Sequence, residues 1–340
     1  MTARMRIVVL AAILVLAALG SVAYVWKAHN DRAKTLSAAP AVAAGGDLAA
    51  VSKQPRLIFR STALGSEYGK VAMVPLADPG GPRTFTPTSC ERVYASAADA
   101  ICLSADRGLV TTYKSQILDS SWSPAHDLPL TGLPSRARLS PDGSLAATTT
   151  FVFGDSYANP GKFSTRTVVS RKDGSTVGDI EKFKLTVDRK VITAVDKNLW
   201  GVTFADNDNT FYATAASGGK TWLVKGSLSD KTVTAVRGDV ECPSLSPDGT
   251  RIAFKKHGDL PSGKWRLAVY DLAAGTETLL AEQNSVDDQV EWLDNRTVLY
   301  GLPRTAENGA ATSDIWRVPA DGSGSPQVMV RDAWSPAVVR

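Results

Sequence analysis

The residue types that do chemistry are sparse here, and most of them sit where a turn would place them. The chain has three histidines, His29, His126 and His257. None lies beside a Gly-x-Ser-x-Gly nucleophile elbow, and no such elbow occurs, so the Ser-His-acid constellation of a hydrolase is missing. Ser217-Gly218-Gly219-Lys220-Thr221 echoes the end of a phosphate-binding loop. Thr214 stands where that loop needs its first glycine, and the strand-like flanks Tyr212-Ala213-Thr214 and Trp222-Leu223-Val224 favour a hairpin turn. Asp206-Asn207-Asp208-Asn209 offers alternating oxygen ligands but lacks the following glycine and the distant glutamate of a calcium loop. Asn295-Arg296-Thr297 matches a glycosylation acceptor by letter only. The expectation is a protein that is not an enzyme and has no catalytic residue, metal ligand or cofactor.

What these segments share is a repeat. Leu139-Ser140-Pro141-Asp142-Gly143-Ser144-Leu145-Ala146-Ala147 and Leu245-Ser246-Pro247-Asp248-Gly249-Thr250-Arg251-Ile252-Ala253 are near copies, with looser versions around Asp206 and Asp294. Proline fixes φ, aspartate caps its own backbone and glycine takes φ > 0, so each phrase reads as strand, tight turn, strand. A second strand pair follows, clearest as Trp265 to Asp271 with Glu277 to Leu280, and Asp314 to Val318 with Gln327 to Val330. Four strands in about 40 to 50 residues is the period of a propeller blade. Units begin near Cys90, Pro134, Val195, Val240 and Val286, while Arg56 to Phe85 supplies only three strands. The segment Asp332 to Val339 is half a hairpin cut off before its turn. It is expected to pair with the strand containing Ile58 and so close an all-β, six-bladed propeller over residues 56–340.

Ahead of the propeller, Ile7 to Trp26 carries no charge and is long enough to cross a hydrocarbon core of about 30 Å. Residues 1–6 form a basic flank, with Arg4 and Arg6. Two readings compete: a signal peptide cleaved near Ser21-Val22-Ala23, giving a secreted protein, or an uncleaved anchor. The apolar run continues through Tyr24-Val25-Trp26 to Lys27, an interfacial pattern that favours the anchor. Residues 27–55, rich in alanine with Pro40 and Gly45-Gly46, read as a flexible tether. Cys90 and Cys102 are close enough in sequence to form a disulfide, which persists in an oxidising compartment; two buried thiols is the alternative. Cys242 reads as an inert buried thiol. The formal net charge of +4 is spread among acidic residues, so no nucleic-acid stripe is present.

The Leu-Ser-Pro-Asp-Gly repeats, with Leu267-Ala268-Val269-Tyr270-Asp271-Leu272 and Ile315-Trp316-Arg317-Val318-Pro319, resemble TolB-like propeller repeats over Arg56 to Val339. The likeness is strongest from Pro243 to Val330 and weakest from Arg56 to Asp127. It implies an exported six-bladed propeller with binding or scaffolding roles. Aligning on the turn aspartate places Arg136, Trp200, Cys242 and Asp288 at the start of inner strands, near one mouth of the channel. With Glu241, Asp287 and Trp334 they outline a candidate binding funnel, against the plainer alternative of rim and packing residues. The expected protein is monomeric, sits in the cytoplasmic membrane by a single pass, and engages a protein or peptide of the cell envelope. A lactonase- or lyase-like enzyme with a divalent metal in its channel, or a small-molecule or glycan sensor, are the alternatives.

Overall fold

Each Ser-Pro-Asp-Gly phrase folds as its residues dictate. In the first copy, Gly143 N–H donates to Ser140 O at 2.9 Å, and Asp142 Oδ1 accepts from Ser140 Oγ at 2.6 Å and Ser144 N–H at 2.9 Å. The second copy repeats this around Asp248, with Ser246 Oγ at 2.6 Å and Thr250 N–H at 3.1 Å. Gly143 and Gly249 take φ of 78° and 69°, a region that costs a side chain strain and glycine none.

The structure, a computed structural model, describes residues 2–37, 42–108, 110–152, 164–306 and 309–340. Pro40 lies outside them. The turns join strands into six antiparallel blades. Their inner strands, blades 1 to 6, are Ala333–Val339, Arg92–Ala95, Leu133–Leu139, Asn198–Phe204, Glu241–Leu245 and Glu291–Asp294. Ala333–Val339 pairs antiparallel with Arg56–Ser61, Ala337 opposite Ile58, so the expected closure is the observed one.

Five blades have four strands and blade 4 has six. The extra hairpin, Lys184–Val187 and Lys190–Ile192, adds to the outer edge of blade 4 parallel to Thr232–Gly238. Only Val191-Ile192 of it was legible, because Asp188 and Arg189 make its turn at φ 48° and 64° without a glycine to mark it.

Among the described residues the buried apolar side chains form separate clusters that fill the seams between blades. Ile58 and Met73 meet Cys102 and Leu118 between blades 1 and 2. Leu199 and Phe211 meet Val169 between blades 3 and 4. Leu57 and Phe59 meet Leu299 and Ile315 across the closing seam. Each such side chain, taken from water, contributes about 1.5–3 kcal/mol. Cys90 and Cys102 are bonded to each other, and Cys242 is free and buried.

The N-terminal segment differs from the expected tether. The helix α1 runs from Ala3 to Ser37, well past Trp26. Residues 42–54 then lie against blade 1: Ala44 bridges Arg83, and Asp47 caps the short helix α2 (Leu48–Val51), whose Val51 is buried in the seam between blades 1 and 2. A four-residue turn with one apolar anchor is too short to register as helical periodicity. Arg83 also donates to Arg331 O, and to Asp332 O at 3.0 Å, at the turn that leads into the closing strand.

Two predictions follow from these seams. Arg83→Met leaves those carbonyls without their donor and should lower unfolding free energy by about 1–3 kcal/mol in a denaturant titration; no change would remove Arg83 from the closure. At the seam of blades 3 and 4, burial drives the Glu181 carboxyl up to about 8, against hydrogen bonds from Leu199 N–H and Thr165 Oγ. Its Oε2 is sealed without a partner. Because the folded value lies above the unfolded one, this contribution to stability is complete below about pH 4.5 and is lost as pH rises towards 8. Glu181→Gln should flatten that decline in melting temperature; an unaltered profile would assign it elsewhere.

Candidate functional site

Inner strands of a propeller are forced to present side chains to the channel, and bulges decide which. The inner-strand register shifts between Pro134 and Arg136, Trp200 and Thr203, and Glu241 and Ser244. Gly201, Cys242 and Ser335 take φ of 68°, 49° and 59° there. Such bulges re-aim neighbouring side chains. At Gly201 the approach is also close, since an added Cβ would lie 2.9 Å from Cys242 Cα.

At the mouth where inner strands begin, five of the seven funnel candidates, Arg136, Glu241, Asp287, Asp288 and Trp334, fall into two contact groups. Arg136 lies 3.6 Å from Asp287, Asp287 2.5 Å from Lys255, and Lys255 3.7 Å from Glu241. Glu241 Oε1 accepts from Trp265 Nε1 at 3.0 Å and lies 3.3 Å from His257 Nε2. Asp288, buried, pairs with Arg92 at 2.9 Å, and Arg92 lies over the Trp334 ring at 4.9 Å. Burial raises the Asp287 carboxyl, but Lys255 first, then Arg136 and Arg92, outweigh it and hold the group below its usual range. Trp200 is half-buried opposite Thr214 on blade 4 and makes none of these contacts among the described residues. Arg92, Lys255 and Trp265 escaped the sequence reading because they lie outside the phrase on which the repeats align. Among the described residues no group of three or more metal-ligating side chains occurs.

Gln289 ties blades 4 and 5 to blade 6, its Nε2 donating to Val202 O at 3.1 Å and Pro243 O at 3.0 Å.

The opposite mouth, where the inner hairpins turn, holds a cavity of about 340 Å³. Every blade contributes to its wall, including Tyr94, Leu139, Phe204, Leu245, Trp292 and Val338. Its floor is a buried ion pair: Arg138 donates to Glu291 Oε2 at 2.5 Å, to Val290 O at 2.5 Å and to Ser244 Oγ at 3.2 Å. Tyr94 donates to Glu291 Oε1 at 3.3 Å and its ring lies 4.5 Å from the Arg138 guanidinium. Burial pushes the Glu291 carboxyl up, opposed by Arg138, and burial and then Glu291 raise the Tyr94 phenol. A charge enclosed by apolar neighbours, Arg138 between Ala137 and Leu139 and Glu291 between Val290 and Trp292, was the sequence signal for this site.

A cavity lined by apolar side chains together with Ser96, Thr203, Asp206 and Arg340 suits a chain segment or small molecule. No protein-family model matches the sequence, and no curated protein matches it. Among solved structures, TolB from Acinetobacter baumannii aligns at a TM-score of 0.53 with 16% identity, covering 84% of this chain and 67% of that one. A chain of the nidogen/laminin complex aligns at 0.53 with 10% identity, covering 84% and 98%. At such identities the likeness is one of fold, and the class is the six-bladed β-propeller. More particularly, the propeller is similar in fold to TolB, and an apolar helix precedes it.

Removing one partner from a buried ion pair costs about 3–5 kcal/mol, while replacing both by apolar groups is often neutral. Arg138→Met should therefore destabilise the propeller by that amount in chemical denaturation, and Arg138→Met with Glu291→Leu should recover most of it. Equal losses in both variants would mean the two charges are not coupled.

Proposed function

We propose that this chain is a non-enzymatic binding propeller, anchored by α1 in the cytoplasmic membrane with the propeller outside, that holds a protein or peptide partner of the cell envelope at its channel. The observation that carries this reading is the cavity at the hairpin mouth, to which all six blades contribute, with the Arg138–Glu291 pair in its lining. The strand-start funnel of Arg136, Glu241, Asp287, Asp288 and Trp334 is tied up in its own ion pairs and ring contacts, so a partner docking there has to displace or cap existing pairs. The helix Arg4–Asp31 is long and apolar enough to cross a membrane and has no part of its span buried in the fold, which supports anchoring. The disulfide supports an oxidising compartment.

A metal-dependent lyase or lactonase is the second reading, and Glu241 with His257 at 3.3 Å are the residues it would use. A stoichiometric divalent ion in the purified protein would favour it.

Two experiments test the first reading. A photo-crosslinking residue placed at Pro141, on the cavity rim, in the full chain in its native membrane should give a discrete adduct, and one at Val236, exposed on blade 4, should not; identical adducts at both would count against the cavity. A reporter that works only outside the cytoplasm, fused after Arg340, should be active, and its silence beside an active cytoplasmic reporter would reverse the topology.

A further inference from the structure

We infer that blade 3 carries a second binding site, separate from the channel, for a small molecule bearing a phosphate group. Where blade 2 hands the chain to blade 3, a cavity of about 230 Å³ lies beside Pro129 and Thr131 of the linking segment. Its other wall is a face of blade 3, and register fixes which side chains that face presents. Thr150 stands opposite Arg166, and Thr148 opposite Val168, which in turn stands opposite Asp179. Directly opposite residues share a face, so three strands point these side chains the same way, and all of them line the cavity. Thr167 and Val169 point the other way, into the seam with blade 4, where Thr167 Oγ donates to Leu199 O at 2.8 Å.

Donors outnumber acceptors in this cavity. Asp179 is the one carboxylate among the described lining residues, against the two cations Arg166 and Lys182. Its Oδ1 already accepts Glu181 N–H at 3.2 Å. Its Oδ2 takes both Arg166 Nε and Arg166 Nη2 at 3.2 Å, with Lys182 Nζ at 4.0 Å. Two cations thus share a single carboxylate oxygen, and Arg166 Nη1 has no partner among the described residues. A guanidinium fork matches phosphate oxygens, and an ammonium adds a point charge beside it.

A second, independent observation comes from the floor. Thr148 is 3% exposed and lines the cavity, and its hydroxyl has no hydrogen-bond partner among the described residues. Thr150 beside it is different, since its Oγ donates to Thr131 O at 2.5 Å. A buried hydroxyl without a partner is costly, and an acceptor inside the cavity answers it. Donors therefore reach the cavity from the floor and from two sides of the rim, which suits an oxyanion with three free oxygens better than a planar carboxylate with two. The volume lies below the roughly 300–1,000 Å³ of drug-sized sites, so the rest of the ligand is a body of a few carbons, set against Pro129 and Val168.

The test uses the full chain in detergent micelles with four probes: glycerol 3-phosphate, inorganic phosphate, glycerol and acetate. Binding is read by isothermal titration calorimetry and by amide hydrogen exchange. Glycerol 3-phosphate should bind saturably, more tightly than inorganic phosphate, and slow exchange in segments 129–132 and 176–182. Arg166→Gln should weaken it about tenfold, and Thr148→Val, which keeps the shape of the floor, about threefold with an unchanged melting temperature. Asp179→Asn keeps the cap on Glu181 N–H and frees both cations, so it should tighten binding about threefold. Glycerol or acetate binding as tightly as glycerol 3-phosphate would overturn the phosphate preference. Saturable binding of neither phosphate probe, protection confined to other segments, or weaker binding in Asp179→Asn would overturn the site itself.

Discussion

Everything in this fold depends on one strand pairing, Ala333–Val339 against Arg56–Ser61. A ring of blades gains stability only from seams between neighbours, and an open ring leaves two faces and two strand edges bare. Pairing the last strand into the first blade removes both at once. The same strand delivers Trp334 to one mouth of the channel and Val338 to the other. Around the closure, Thr62 N–H donates to Asp332 O, Asp332 N–H to Asp314 Oδ1, and Arg304 bridges Asp314 and Asp332. The segment 42–54 docks on the same blade through Arg83, so the N-terminal part of the chain and the closing turn meet in one place.

The channel shows how a repeat built for geometry acquires electrostatics. Inner strands run the same way round the ring, so whatever residue the turn requires appears at one mouth in the five blades that have that turn, while blade 1 ends there in Arg340. Here that residue is aspartate. The strand-start mouth has no such requirement, and there Arg92, Arg136 and Lys255 sit among Glu241, Asp287 and Asp288 and satisfy them. One mouth is thus crossed by ion pairs, and at the other the turn aspartates stand near Arg138 and Arg340.

Blades 5 and 6 were legible in the sequence because proline, aspartate and glycine each have one backbone reason to be at their position. Closure was legible too, from Arg56 to Phe85 holding one strand too few. The docked segment 42–54 was not, because Val51 alone anchors it and a single apolar residue has no period. Nor was the extra hairpin of blade 4, whose turn is made by Asp188 and Arg189 instead of glycine. At the strand-start mouth, Arg136 and Asp288 were placed by their offset to the turn aspartate, with Glu241, Asp287 and Trp334 beside them, whereas Arg138, Glu291 and Tyr94 were missed because the alignment looked to where strands start and these lie further along the strands. Their signal was an isolated charge inside an apolar strand, which a burial argument reads and a motif search does not.

The ring closure is tested most directly by native-state hydrogen exchange of the full chain, followed through peptides covering 333–339 and 71–74. If the last strand completes blade 1, its amides are protected to the same degree as those of Val71 to Val74 and are lost in the same cooperative opening. Exchange of 333–339 within seconds, at the rate of a free terminus, while 71–74 stays protected, would contradict the closed ring.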